Sequence, residues 1–280
     1  MTYRHFPIIF GVLGILFSGF FAAVDSSETP VKLASNPELA VISSGNWKSA
    51  QKGIEFRTIS LERAQAGYTL DLKLFRFDTG LIVPRVIYGA QYDLKAADVK
   101  TLAQKTGAIA AINANYYDPE GRPLAFLKTA AKTVNPRVSP ATIYSGIFAM
   151  KDRQPFIARR NDFVPAQADE GIQTGPLLLL RGSTQSLSGL PSRPSRRALI
   201  GIDKEQRLVI AVTDTFLGGL SWVELQELFT APKWKLQTHD LLALDGGGSA
   251  QVYIKTANHE DLIPGTSDVP VAIGFFAKTQ

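Results

Sequence analysis

Three consecutive glycines, Gly246 to Gly248, separate two short apolar runs in the last quarter of the chain. The runs are Leu241 to Leu244 and Val252 to Ile254, and Asp245 and Ser249 flank the glycines. Glycine loses more backbone entropy on folding than any other residue, so three in a row destabilise the interior of a strand or helix. The sequence therefore predicts a strand, a sharp turn and a second strand.

The turn has two interpretations. Successive backbone amides in a glycine-rich turn can form a concavity that binds an anion, which would place the Asp245 carboxylate and the Ser249 hydroxyl beside a phosphate or a sugar. In the other interpretation, Asp245 forms an Asx turn and the segment only connects two strands. These residues alone do not choose between a ligand site and a plain turn.

The rest of the chain alternates short apolar runs with turn residues, which is typical of strands. Helical patterns occur at Leu94 to Thr106 and from the capping box at Ser221. Within 68–77 the leucines at 70, 72 and 74 alternate with other residues and Phe75 and Phe77 fall in the opposite phase, which predicts a bulged strand. Because strands outnumber helices, we predict a single α+β domain with a mixed, largely antiparallel sheet and a few short helices.

The N-terminal segment predicts export. Arg4 precedes an uncharged, mostly apolar run from Phe6 to Val24, so residues 1–26 are predicted to be a signal peptide or an uncleaved N-terminal anchor. Residues 27–53 are polar and aperiodic, which predicts a linker or N-terminal extension, and residues 54–280 then form the folded domain. We expect a periplasmic or extracellular protein that meets a membrane only through the N-terminal segment, if that segment is retained.

The composition of the chain argues against several classes of function. The formal net charge of +5 is modest, and the chain has no dense basic stripe interleaved with aromatic residues, so we predict no nucleic-acid partner. An anionic substrate or an envelope surface fits this charge better. With no cysteine and only three histidines, the sequence does not predict a zinc hydrolase. The sequence contains no motif that identifies a cofactor, and it does not decide whether a divalent cation binds.

Three further segments have both a structural and a functional interpretation. The run from Asn113 to Asp118 is either a turn with packed tyrosines or a cluster in which carboxamides and a tyrosine ring bind a sugar. Gly175 precedes four leucines and either starts a strand or lets the backbone approach a ligand. Arg197 leads into another apolar run and is either solvated or grips a phosphate with two hydrogen bonds.

The order of these motifs along the chain resembles the phosphodiester glycosidase family from about Gly107 to Ala277, and more faintly from Tyr68. The resemblance implies catalytic roles for Asn113, Arg197 and Asp245. It also implies a substrate-binding set made of Asn115, Tyr116, Gly175, Gly246, Gly247, Gly248 and Ser249.

Two positions depart from the family pattern. The family commonly has Asn-Gly-Gly-Phe-Phe where this chain has Asn113-Ala114-Asn115-Tyr116-Tyr117, and a hydroxyl residue where this chain has Ala198. These departures bear on the preferred sugar more than on the fold.

The resemblance implies a glycosidase that hydrolyses a sugar-1-phosphodiester to free sugar and a phosphomonoester, in envelope or exopolysaccharide metabolism. Arg197 and the amides of residues 246–249 would hold the phosphodiester. Asp245 would act as acid/base or stabilise an oxocarbenium-like transition state. Asp118 and Asp214 are both candidates for a second catalytic carboxylate, and the sequence does not choose between them. The alternative is a non-catalytic envelope protein that binds an anionic glycan.

Overall fold

The computed structural model describes residues 29–130, 132–191 and 193–278. The α-helices are α1 (Val99–Thr106) and α2 (Trp222–Thr230). The strands are β1 (Val31–Lys32), β2 (Leu39–Ser44), β3 (Lys48–Gln51), β4 (Ile54–Arg63), β5 (Tyr68–Phe77), β6 (Ile82–Tyr88), β7 (Ala110–Asn113), β8 (Leu127–Lys128), β9 (Thr133–Asn135), β10 (Gly146–Lys151), β11 (Gln154–Arg159), β12 (Glu170–Thr174), β13 (Leu177–Leu180), β14 (Ser183–Thr184), β15 (Ala198–Asp203), β16 (Leu208–Asp214), β17 (Thr238–Ala243), β18 (Val252–Lys255), β19 (Glu260–Ile263) and β20 (Val271–Ala277). Short 3₁₀ helices lie at Gly89–Tyr92, Arg160–Asp162, Pro165–Gln167, Pro232–Trp234 and Gly247–Ser249.

The strands form one large sheet and two smaller ones. The ten-stranded sheet has the order β1-β2-β4-β5-β16-β15-β17-β13-β14, with β3 also paired to β4. The two five-stranded sheets have the orders β11-β10-β12-β8-β9 and β19-β18-β7-β20-β6. Neighbouring strands run antiparallel, as in β4–β5, β15–β17 and β7–β20. The predicted α+β fold with a largely antiparallel sheet is confirmed.

The large sheet is buried on both faces. Leu70, Leu72 and Leu74 of β5 pack in one core with Trp222 and Leu225 of α2. Phe75 and Phe77 point to the opposite face and join the core that the smaller sheets complete, where Phe77 stacks on Phe275 of β20 with ring centroids 4.1 Å apart.

This packing corrects the predicted bulge in β5. The strand pairs with β4 without a register shift, from Ile54 opposite Phe77 to Arg63 opposite Tyr68. The change of hydrophobic phase marks the point where the side chains of both faces become buried, rather than an inserted residue.

The N-terminal part of the domain differs from its sequence-based outline. Strands β1 to β3 lie within residues 31–51, the segment expected to be a linker or extension, and they join the large sheet. The sheet therefore begins before residue 54. The predicted signal peptide or anchor, residues 1–26, lies outside the described residues. Among the helices that the structure describes, none has the length and apolarity needed to cross a membrane.

The two helices begin at side-chain caps. The predicted capping box is present in α2: the Ser221 hydroxyl accepts the Glu224 amide, and the Glu224 carboxylate accepts the Ser221 amide. The first helix is shorter than predicted. It starts at Val99 rather than Leu94, because the Asp98 side chain accepts the Thr101 amide and ends the preceding loop.

Candidate active site

Asn113, Arg197 and Asp245 come together although they are far apart in the sequence. Asn113 ends β7, Arg197 directly precedes β15, and Asp245 follows β17, which is the neighbour of β15. The Asn113 amide nitrogen donates to the backbone oxygen of Asp245 at 2.7 Å. A Cβ placed on Gly246 would lie 3.7 Å from Nη1 of Arg197, so the guanidinium reaches the same turn.

Asn113 holds the glycine-rich turn at both ends. Besides its bond to Asp245, its Oδ1 accepts the backbone N–H of Gln251 at 3.1 Å. The residue is completely buried. Both bonds go to backbone groups, so in this geometry Asn113 positions the turn.

The turn uses some of its own amides internally. The N–H of Gly247 donates to the Arg196 carbonyl at 2.9 Å, and the N–H of Ser249 donates to the Gly246 carbonyl at 3.2 Å. A Cβ on Gly246 would lie 2.9 Å from the Arg196 oxygen, so only glycine permits this close approach. Of the four amides expected to form an anion concavity, those of Gly247 and Ser249 are thus satisfied within the protein.

Asp245 has an unusual acidity. Burial raises the pKa of its carboxyl from 3.8 to about 6, although hydrogen bonds from the Ser249 side chain and the Gly246 amide oppose the shift. At pH 7 the group is mostly ionised, and it takes up a proton as the pH falls through 6. Perturbed carboxyl groups of this kind occur preferentially at functional sites.

Arg197 is a buried cation in a fixed position. Its Nε donates to the Leu220 carbonyl at 2.8 Å and its Nη2 to the Arg193 carbonyl at 2.9 Å. Its guanidinium carbon lies 3.5 Å from the ring centroid of Trp222, a cation–π contact. Burial lowers its pKa to about 10, so Arg197 stays charged at neutral pH.

A cavity of about 330 Å³ opens beside Arg197. Its lining consists of Tyr116, Ile143, Pro191, Arg193, Ser195, Arg197 and Trp222. Burial raises the pKa of Tyr116, and the charge of Asp245 adds to that shift while Arg197 opposes it. Tyr116 therefore lies within electrostatic reach of both groups and connects the cavity with Asp245.

Gly175 fixes the position of Tyr116. The Tyr116 hydroxyl donates to the Gly175 carbonyl at 2.8 Å, and the Tyr116 ring meets Tyr144 edge-on at 5.3 Å. A Cβ at Gly175 would overlap the carbonyl oxygen of Ile143, so the backbone passes too closely there for any other residue.

Asn115 and Ser249 lie beside this arrangement. Asn115 is almost fully buried, and its side-chain nitrogen donates to the Tyr116 carbonyl at 3.3 Å. Its Oδ1 is buried without a hydrogen-bond partner in the described part of the chain. The Ser249 hydroxyl lies 3.2 Å from that of Tyr117.

Neither candidate for a second carboxylate lines the cavity. Asp118 accepts the backbone N–H and the Nε of Arg122 in a surface turn. Asp214 is exposed at the end of β16. Within the described ranges, no group of three His, Asp or Glu side chains is arranged to hold a metal ion.

Several lining residues were not predicted from the sequence. Arg193 lies in the arginine-containing loop before β15, and Trp222 is the first residue of the capped helix α2, so both had a local signal. Ser195 shares the loop of Arg197, two residues before it. Ile143 had no local signal, because only the tertiary fold brings its loop to Arg197.

Comparison with known proteins identifies the family of the chain. A sequence profile described as phosphodiester glycosidase matches residues 106–276. The chain belongs to the phosphodiester glycosidase family. This confirms the resemblance seen in the motifs. No curated protein sequence matches significantly.

Solved structures share the fold at low sequence identity. A hypothetical protein from Synechocystis is 14% identical with a TM-score of 0.59, over 85% of this chain and 65% of that protein, so this phosphodiester glycosidase spans under two thirds of its length. The catalytic domain of zebrafish N-acetylglucosamine-1-phosphodiester alpha-N-acetylglucosaminidase, auto-inhibited by its pro-peptide, is 15% identical with a TM-score of 0.57, over 87% of this chain and 85% of that domain. A Burkholderia pseudomallei protein described as exported is 9% identical with a TM-score of 0.50, over 74% of each chain.

Proposed function

We propose that this phosphodiester glycosidase hydrolyses a sugar-1-phosphodiester, releasing free sugar and a phosphomonoester. The observation that carries the proposal is the half-buried Asp245 carboxyl, whose pKa is raised to about 6 and whose charge acts on Tyr116 in the wall of the cavity that Arg197 also lines. In the reaction, the bond between the anomeric carbon and the bridging phosphate oxygen breaks. The oxygen of water bonds to the anomeric carbon, and the phosphate leaves as the monoester.

Arg197 and Arg193 supply the positive charge for the phosphodiester. Arg197 is charged, buried and fixed by two backbone carbonyls, so it is preorganised for the negative charge that grows on the leaving oxygen. Phosphate is a good leaving group and needs little protonation.

Asp245 acts in its ionised form. Its negative charge stabilises the oxocarbenium-like transition state, and the carboxylate takes the proton of the attacking water. Asn115 and Tyr116 bind the sugar, and the free Oδ1 of Asn115 accepts a sugar hydroxyl. Asn113 and Gly175 act indirectly, since they hold the turn and Tyr116.

We also propose that the protein acts outside the cytoplasm, in envelope or exopolysaccharide metabolism. The apolar run of residues 6–24, preceded by Arg4 and ended by small residues, supports export. Mass measurement of the protein recovered from the envelope fraction tests this: loss of about the first 26 residues supports it, and a full-length chain soluble in the cytoplasm contradicts it.

The decisive experiment is release of free sugar from a panel of sugar-1-phosphodiesters by purified protein. Asp245→Asn is the control, because the amide keeps the shape but loses the charge, and kcat should fall by about 10²- to 10⁴-fold. Binding of an anionic glycan without turnover of any panel member would favour the non-catalytic alternative. Near-normal kcat in a folded Asp245→Asn protein would make Asp245 structural.

A further inference from the structure

A second cavity, distinct from the active site, lies at the opposite end of β17. Its volume is about 560 Å³, within the range of about 300–1,000 Å³ that is typical of small-molecule sites. Thr238, the first residue of β17, lines it. Asp245 follows the other end of this strand, roughly 20 Å away at about 3.3 Å per residue.

The cavity carries positive charge. Arg76, Lys204 and Lys235 line it, and no aspartate or glutamate is among its described lining residues. Arg76 is partly neutralised, because its Nε donates to Glu55, and its guanidinium covers the Trp47 ring at 4.3 Å. The ammonium groups of Lys204 and Lys235 therefore provide most of the attraction for an anion.

Two buried polar atoms in the lining lack partners. The Thr238 hydroxyl is on a residue only 6% exposed, and it has no hydrogen-bond partner in the described part of the chain. The indole nitrogen of Trp47 is likewise buried and unpaired there. An unsatisfied buried polar group costs about 1–3 kcal/mol. Both atoms are closed to solvent in the free protein, so a ligand gains these hydrogen bonds once the two side chains shift toward it.

The loop that forms one wall has a strained backbone. Lys235 and Gln237 both adopt left-handed conformations, with φ of 51° and 55°, and both line the cavity. Non-glycine residues in this region cost of order 1 kcal/mol and cluster at binding sites. Between them, Leu236 is buried and joins Phe229 in an apolar wall.

We propose that this cavity binds an anionic saccharide, a sugar that carries a phosphate or carboxylate group. The two lysines recognise the anionic group, and Thr238, Gln237 and the Trp47 indole bond to sugar hydroxyls. The apolar wall accepts the less polar face of the ring. A single inorganic phosphate would leave most of the cavity unfilled, which is why we assign a whole sugar to it.

Calorimetric titration of the full protein tests the proposal, with glucose 1-phosphate, glucuronate, glucose and inorganic phosphate as probes. The double variant Lys204→Ala/Lys235→Ala should bind at least one of the two anionic sugars, glucose 1-phosphate or glucuronate, with an affinity tenfold or more below that of the wild type. Lys233→Ala is the matched control, because Lys233 lies over Trp234 at 4.6 Å and does not line the cavity. It should bind as the wild type does.

The remaining arms separate the alternatives. Glucose should bind at least tenfold more weakly than whichever anionic sugar binds more tightly. Thr238→Val should weaken the binding of that anionic sugar, while circular dichroism shows that the variant stays folded. Equal binding of inorganic phosphate and glucose 1-phosphate, with no binding of glucuronate, would overturn the saccharide assignment. Unchanged binding of both anionic sugars in the double lysine variant would overturn the site itself. Binding is measured without turnover, so failure of the proposed hydrolysis would be seen separately.

Discussion

At the scale of single residues, Asp245 links its own ionisation to the proposed hydrolysis. Burial raises its pKa to about 6, and the proposed mechanism needs the ionised form. We therefore expect kcat to fall as the pH drops through 6, by about tenfold per unit further down, while the phosphodiester of the substrate stays ionised. A pH profile of sugar release measures this. A rate that instead rises below pH 6 would assign Asp245 the role of a general acid.

The same burial predicts a cost in stability. Below pH 3.8 the carboxyl is protonated in the folded and the unfolded chain. Between pH 3.8 and 6 only the unfolded chain loses its proton, so the stability of the fold decreases as the pH rises. Asp245→Asn removes this effect and should raise the free energy of unfolding at pH 7 by about 1–3 kcal/mol. Urea denaturation at pH 7 and pH 3.5 checks it, and equal gains at both pH values would contradict the burial argument.

Arg197 is held by two backbone carbonyls and the Trp222 ring, and we propose that it also recognises the phosphate. Arg197→Ala should lower kcat/KM about 10- to 150-fold, since a charge-assisted hydrogen bond to phosphate contributes roughly 1.5–3 kcal/mol. Steady-state kinetics measure the loss. Arg137→Ala, an exposed arginine outside the cavity lining, serves as the control for net charge. Unchanged kinetics in a folded Arg197→Ala protein would remove Arg197 from substrate recognition.

The sequence indicated the positions of these candidate residues but not the contacts that their side chains make. The glycine run and the motif order pointed to Asp245 and Arg197, because glycines and strand-end arginines leave a local signal. The position of Asn113 was equally visible, yet its hydrogen bonds to the two ends of a turn more than 130 residues away depend on the tertiary fold. Local pattern cannot distinguish a side chain that faces substrate from one that faces backbone.

At the level of elements, β5 shows why hydrophobic phase was misread. A half-buried strand alternates apolar and polar residues, so a phase change suggests an inserted residue. At β5, α2 covers one face of the large sheet and the smaller sheets cover the other. The side chains that point to each face are therefore both apolar near Phe75. The existence of the strand was predictable, but the second covering layer was not.

Helix α2 depends on a buried ion pair that the sequence did not reveal. Glu224 accepts Nη2 of Arg63 at 2.8 Å, and both side chains are less than 10% exposed. Glu224→Ala should destabilise the fold by about 3–5 kcal/mol, because it leaves the Arg63 charge buried and opens the capping box. Chemical denaturation tests this against Val223→Ala, an exposed neighbour on the same helix, which should change little. Similar stability of the two variants would show that the pair contributes nothing.

On the scale of the whole molecule, the polar segment before residue 54 is part of the fold. Leu33, Leu39 and Val41 are buried in the same core as α2. The amides of Ala34 and Ser35 donate to the Glu227 carboxylate of that helix, each at 2.7 Å. Apolar residues here are too few and too irregularly spaced for the periodicity of a strand to appear in the sequence. The partner of Ala34 and Ser35 in α2, Glu227, lies more than 190 residues away.

These contacts predict opposite outcomes for two truncations. A chain that begins at residue 29 keeps every contact described above and should unfold at the temperature of the full-length protein with unchanged kcat. A chain that begins at residue 54 loses β1 to β3 and three buried side chains worth about 1.5–3 kcal/mol each, and it uncovers the acidic groups of α2. Its melting temperature should fall by more than about 10 °C, and activity should fall with it because α2 presents Trp222 to Arg197. Calorimetry and sugar release compare the two chains. If the chain that begins at residue 54 is active and equally stable, β1 to β3 contribute neither to stability nor to activity.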